Sequence, residues 1–126
     1  MRSGYAGKLL RINLSTSSVT REPLSEEFCR TYLGGNGFGA RLLMSELSPG
    51  TDPLGEGNKL LFCTGPLNGA MVPMASKFCA MSKSPLTGTI MDGFSSGRFG
   101  VELKYAGYDL LVIEGAASTP VYVDIE

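Results

Sequence analysis

The sequence predicts an α+β domain with about three short helices. Two alternating segments pair at the start of the chain, strands and short helices mix in the middle, and hairpin-like turns link several of the strands. With 126 residues, 43% hydrophobic and 18% charged, the chain has the length of one globular domain with a real core.

Each element has a local reason. In residues 8–14, Leu10, Ile12 and Leu14 fall on one face and Arg11 and Asn13 on the other, which reads as a half-buried strand. Residues 15–18 are turn chemistry, and residues 19–24 return as the second strand of a hairpin. Ser25 is an N-cap with Glu26 and Glu27 in the first turn, so a short helix runs to Leu33 and stops at Gly34. After Gly35-Asn36-Gly37, a second helix places Ala40, Leu43, Met44 and Leu47 on one stripe and ends at Ser48-Pro49-Gly50.

Residues 59–64 and 77–82 read as buried strands, each closed by a Pro-Leu-x-Gly turn. A third helix over residues 98–106 buries Phe99, Leu103 and Ala106 and stops at Gly107. Leu110 to Ile113 is apolar strand material, and residues 121–126 alternate like a last strand. The two Pro-Leu-x-Gly turns, and the Tyr-Ala-Gly echoes at Tyr5 and Tyr105, are too short to establish a duplication.

Composition excludes several chemistries. With no His there is no Ser-His-Asp triad, no Cys-His dyad and no imidazole metal site. A net charge of −1 gives no electrostatic footprint for nucleic acid. The first residues hold no apolar signal core and no run reaches membrane length, so no membrane association and a cytoplasmic location are expected. Cys29, Cys63 and Cys79 are odd in number and lack CxxC spacing, which points to buried reduced thiols.

The 17 glycines, nearly twice the usual share, are the feature to explain. Gly35-Asn36-Gly37-Phe38-Gly39-Ala40 fits a dinucleotide fingerprint, but the preceding segment reads as helix where that motif needs a strand. Two glycine loops, residues 34–37 and 93–97, each open a helix. Two readings stand: exposed N–H groups there, with Ser95, Ser96 and Arg98, receive an anion, or the glycines only permit tight caps. Lys83, in the turn 82–88, likewise either holds a phosphate or is solvated. Asp92 is the carboxylate beside the second loop, where turn capping explains it equally well.

Six motifs in register then resemble one family. Residues 5–16 (YAGKLLRINLST), 32–37 (YLGGNG), Asp52-Pro53-Leu54 with Asn58-Lys59-Leu60, 64–69 (TGPLNG), 83–88 (KSPLTG) and 97–109 (GRFGVELKYAGYD) are similar to the N-terminal domain of the tungsten-containing aldehyde ferredoxin oxidoreductases. The resemblance runs through the whole chain and implies one pterin-cradling domain over residues 1–126, with the downstream iron–sulfur and catalytic domains absent. It implies a two-sheet α+β platform under a tungsten or molybdenum bis-pterin. The metal is then held by pterin sulfurs, so a His-free domain serves.

The cofactor-binding residues it implies are Lys77, Ser95, Ser96, Gly97 and Arg98, with no catalytic residue and no protein metal ligand in this chain. Lys77 stands where the family usually has Arg, Asn36 where Arg is common, and Phe94-Ser95-Ser96-Gly97 where it has Asn-Ser-Gly-Gly. The implied 4Fe-4S cluster and the catalytic groups belong to the missing domains, and none of the three cysteines fits the cluster spacing. This chain alone is expected to bind no cofactor. Its expected partners are those domains or a chain carrying them, with ferredoxin for the complete enzyme. A broad apolar or glycine-rich docking face would favour a homo-oligomer. The alternatives are a stand-alone binder of a pterin or other phosphorylated ligand, and a remnant that binds nothing.

Overall fold

A computed structural model describes residues 4–126; Met1, Arg2 and Ser3, part of the reading against a signal segment, lie outside the described residues. The elements run β1 (Lys8–Asn13), β2 (Ser18–Pro23), α1 (Glu26–Tyr32), α2 (Asn36–Glu46), β3 (Lys59–Cys63), β4 (Phe78–Lys83), β5 (Ile90–Ser95), α3 (Phe99–Tyr105) and β6 (Leu110–Glu114). The α+β class and the three short helices hold. The strands form one six-stranded sheet in the order β2-β1-β6-β3-β4-β5, not two sheets, because each strand finds its neighbour in a single continuous ladder. Only β1 and β6 are parallel; every other neighbouring pair is antiparallel.

Helices cover both faces of this sheet. Leu9, Leu61, Cys63, Cys79, Met81, Leu110 and Val112 pack with Cys29 of α1 and with Phe38 and Leu43 of α2. Leu10, Ile12 and Leu111 pack on the other side with Leu103 of α3 and Tyr108. β1 is therefore buried through both Leu9 and Leu10 rather than half-buried, as its central, parallel-paired position demands. Within α2, Leu43 is buried and Leu47 is partly buried against the core, but Met44 is exposed, so the apolar stripe is narrower than its spacing suggests.

Local chemistry closes the turns as expected. Asn13 Oδ1 accepts from the Ser15 and Thr16 N–H groups in the hairpin. Ser25 Oγ accepts from Phe28 N at 3.0 Å at the start of α1. Two segments differ from expectation. Residues 90–95 are strand β5, although all six are exposed and no apolar alternation marks them; the ladder with β4 alone makes them a strand. Residues 121–126 alternate but join no sheet; Ile125 packs instead beside the Leu10–Leu103 cluster. Phe99, expected inside, is partly exposed and closes an aromatic triad with Phe62 and Phe78, centroids 5.3 and 4.9 Å away. Met71, Met74, Leu67 and Phe94 are exposed, and no helix among the described residues is long and apolar enough to cross a membrane.

Two ionic assemblies tie the elements together. The fully buried Asp109 carboxylate accepts from Ala6 N (3.1 Å), Gly7 N (2.6 Å) and the Lys104 ammonium, which also lies over the Tyr5 ring. Its backbone accepts from Thr64 N (3.0 Å) and Thr64 Oγ1 (2.8 Å) and donates to Lys8 O (2.9 Å). At the other end of the sheet, Arg11 pairs with Glu22, Glu46 and Glu114, and Lys59 with Glu46 and Glu114. Asp109→Ala leaves the nearly buried Lys104 charge unpaired, and we expect a loss of about 3–5 kcal/mol in urea unfolding.

The second assembly sets a pH dependence. Burial pushes the Glu46 and Glu114 carboxyls up, but hydrogen bonds and charge from Lys59 and Arg11 outweigh it and hold both below the usual value near 4.5. A carboxyl lowered by folding contributes stability that is complete above about pH 4.5 and is lost as pH falls through the lowered values. The thermal midpoint should therefore drop as pH falls from 5 to 3, and Arg11→Met should flatten that drop.

Candidate functional site

The cleft that carries the chain's polar recognition groups lies where the α1–α2 connection meets the ends of β3, β4 and β5. Leu33, at φ +61, ends α1, and Tyr5 OH donates to its carbonyl at 2.8 Å. The chain then turns sharply through Gly34 and Gly35. Gly35 N donates to Thr64 O at 3.0 Å, and a Cβ on Gly34 would stand 2.7 Å from that same carbonyl. A Cβ on Gly37 would meet Tyr32 O at 2.0 Å, so this glycine is required by packing alone. The helix-before-glycine order removes the dinucleotide reading, since α1 stands where a strand would be needed.

Beneath that loop is an open cleft of about 470 Å³, bordered by Gly34, Gly35 and Asn36, by Gly65, Pro66 and Asn68, and by Cys63, Lys77, Phe78, Cys79 and Phe94. The start of α2 at Gly35 has no side-chain cap; Gly35 N and Gly37 N donate instead to the backbone carbonyls of Thr64 and Gly34. Asn68 braces the opposite wall: its Oδ1 accepts from Gly65 N at 2.9 Å and its amide donates to Lys77 O at 2.9 Å. Asn36 joins three elements, accepting from the Cys79 thiol at 2.7 Å and donating to Asp92 Oδ2 at 3.1 Å.

The Lys77 ammonium, exposed at the rim, has no hydrogen-bond or ion-pair partner among the described residues, unlike Arg11, Lys59 and Lys104. Burial pushes the Cys79 thiol up, the Asp92 charge adds to that, and the Gly93 backbone partly offsets it. The Cys63 thiol is pushed up further, by burial first and by Cys79 second. All three cysteines are free and buried. The described residues contain no group of three or more His, Cys, Asp and Glu gathered to hold a metal.

The sequence-derived residues divide. Lys77 borders the cleft together with Phe94 and the first glycine loop. Ser95 is the register partner of Phe78, on the strand's opposite side from Phe94, and Ser96 and Gly97 continue outward into the turn before α3. Arg98 is highly exposed and pairs with Glu102 one turn along α3, at 2.7 Å. Lys83 holds no ligand position: its ammonium donates to Thr51 O (2.7 Å) and Pro49 O (3.2 Å), tying down the loop after α2. Asp92 is occupied by Asn36 rather than by turn capping.

Two bracing residues were missed. Asn68 sits in a Pro-Leu-Asn-Gly turn, and an Asn three residues after a glycine that needs a hydrogen-bond acceptor is the signal that finds it. Cys79 carried no signal, because its partner Asn36 comes from a distant helix.

Gly93 bears on fit to a flat ligand. Its φ lies outside the left-handed range, and an added Cβ would meet nothing within 4 Å. Neither backbone strain nor packing within the chain accounts for it. Gly35 and Gly97 also face open space. Their φ values of +51 and +100 account for glycine at those two positions, so Gly93, next in the chain to the largely exposed Phe94 ring, is the one of the three that leaves backbone accessible without a conformational reason.

Comparison with known proteins gives the context. Residues 9–126 match the family described as aldehyde ferredoxin oxidoreductase, N-terminal domain. The chain is 47% identical to the tungsten-containing aldehyde ferredoxin oxidoreductase of Pyrococcus horikoshii, over 97% of this chain and 20% of that protein. It is 42% identical to the aliphatic sulfonate oxidoreductase, WOR-like subunit, of Pyrococcus furiosus, over 96% of this chain and 20% of that protein. Among solved structures, the active site complex BamBC of benzoyl coenzyme A reductase, in complex with 1,5-dienoyl-CoA, superposes with a TM-score of 0.96 at 30% identity. That match covers 99% of this chain and 19% of the other. The chain thus spans about a fifth of the length of these relatives.

Proposed function

Because the chain belongs to the aldehyde ferredoxin oxidoreductase N-terminal domain family, we propose that it is the part of such an oxidoreductase that cradles a tungsten pterin cofactor. The observation that carries this reading is the Lys77 ammonium, unpaired among the described residues, at the rim of a glycine-walled cleft. Such a cofactor would supply the redox chemistry between an aldehyde and a carboxylic acid. Ferredoxin and a 4Fe-4S cluster belong to the reading of the whole enzyme, as does a cytoplasmic location.

The residues of this chain bind and orient. Lys77 meets phosphate charge from the cleft rim, while Asn68 fixes the backbone from which Lys77 projects. Ser96, Gly97 and Arg98 lie beyond the cleft, where a cofactor extending past Phe94 would meet a hydroxyl, a close backbone approach and a cation once Arg98 leaves Glu102, while Ser95 would join only from the other side of the strand. Phe94 presents an aromatic face where a flat ring can stack.

The substrate is set elsewhere. Relatives named for an aldehyde, an aliphatic sulfonate and benzoyl coenzyme A share this domain, which supports a common cofactor platform and a variable remainder. The other four fifths of the relatives' length would then supply the catalytic groups and the second wall of the site.

Retention of molybdopterin by the purified chain tests this. The chain, which supplies one wall only and is expected to carry no cofactor as isolated, should retain molybdopterin weakly when it is added in excess, and Lys77→Ala should weaken that retention by roughly tenfold, the size of one charge-assisted hydrogen bond. No retention, or equal retention by Lys77→Ala, would sink the reading. Retention of inorganic phosphate but not the pterin would favour a general phosphoryl-ligand module.

A further inference from the structure

The side of the β1–β2 hairpin that packs with α3 carries a second cleft, of about 340 Å³, which shares no lining residue with the glycine-walled one. Leu10 is the register partner of Arg21 and Ile12 that of Val19, so these four side chains share one sheet face and form the floor. Val121, Val123 and Ile125 border the cleft from the C-terminal segment and supply an apolar roof. Among the described residues, residues 117–126 form no hydrogen bond or ion pair. Ile125 packs beside the Leu10–Leu103 cluster, so apolar contact seats this roof.

One end of the floor is polar. The buried Tyr108 hydroxyl accepts from Arg21 Nε at 2.8 Å and so orients the guanidinium. Both Nη groups of Arg21 are without a partner among the described residues, unlike those of Arg11. A guanidinium held through Nε presents its remaining N–H groups as a fork that matches a carboxylate. Asp124 and Glu126 also border the cleft, and their charges oppose a head group more negative than a single carboxylate.

We propose that this cleft binds an aliphatic monocarboxylate of medium chain length. The carboxylate sits on the Arg21 Nη groups, and the tail lies between the hairpin floor and residues 121–126. Burial of the tail supplies the affinity, and Arg21 fixes the direction in which the ligand enters. The cleft volume is near the lower end of the roughly 300–1,000 Å³ of small-molecule sites, which suits a medium rather than a long chain. The site is independent of whatever the glycine-walled cleft holds.

Titration of the chain with decanoate, below its micelle-forming concentration, followed by calorimetry and backbone amide resonances, tests the assignment. One saturable event should shift amides in residues 10–21 and 117–126 and leave residues 34–36 and 77–79 unmoved. Arg21→Gln should bind roughly tenfold more weakly, the size of one charge-assisted hydrogen bond. Val19→Asp, which places a charge on the partly exposed floor, should weaken binding at least as much, with wild-type thermal midpoints showing that both variants are folded. Lys77→Ala should bind decanoate as the wild type does, which separates this result from that of pterin retention. Absence of saturation, shifts centred on the glycine-walled cleft, or unchanged affinity in Arg21→Gln would overturn the assignment. So would binding of decylammonium or decyl phosphate as tight as that of decanoate.

Discussion

The buried Asp109 carboxylate is the interaction on which the rest of the structure depends. It lies where β6 begins, and its backbone and side chain together reach the entry to β1, the C-terminal half of α3 and the end of β3. A carboxylate with no solvent contact is tolerable only with its charge matched and its oxygens occupied. Lys104 and the Ala6 and Gly7 N–H groups meet that need. The parallel β1–β6 pair, which has no tight turn to fix its register, thereby gains a fixed start.

That constraint extends to the cleft. Thr64 donates its N–H and its hydroxyl to Asp109 O, and Thr64 O accepts from Gly35 N, the first wall of the site. The glycine loop is thus positioned by a short chain of hydrogen bonds that begins at the buried ion pair. Asn68 does the corresponding work on the other wall by holding the Lys77 backbone. The cleft is walled by braced backbone and amides, with the Lys77 ammonium, unpaired among the described residues, at its rim.

Much of this was legible in residue order. The resemblance of six motifs in register agreed with the family that residues 9–126 match. Ser25, residues 15–18 and Gly34 marked their caps and turns correctly because those bonds close within a few residues. Lys83 was misjudged for the opposite reason: its acceptors are loop carbonyls more than thirty residues away, and neither a phosphate nor solvent describes its place. The reading of two sheets failed because nothing local states how many ladders a set of strands will form.

By itself, the sequence determined the α+β class, the positions of five strands and three helices, the absence of imidazole chemistry and the glycine-rich character of the site. Periodicity, capping and composition are short-range properties, so they survive without a tertiary context. The fold alone decided that residues 90–95 pair as an edge strand while the better-patterned residues 121–126 do not. It also decided that Lys77 meets the first glycine loop, and that Cys63 faces Cys79. Each of these depends on which distant segment supplies the partner, and hydrogen-bond ladders and packing settle that only when the whole sheet assembles.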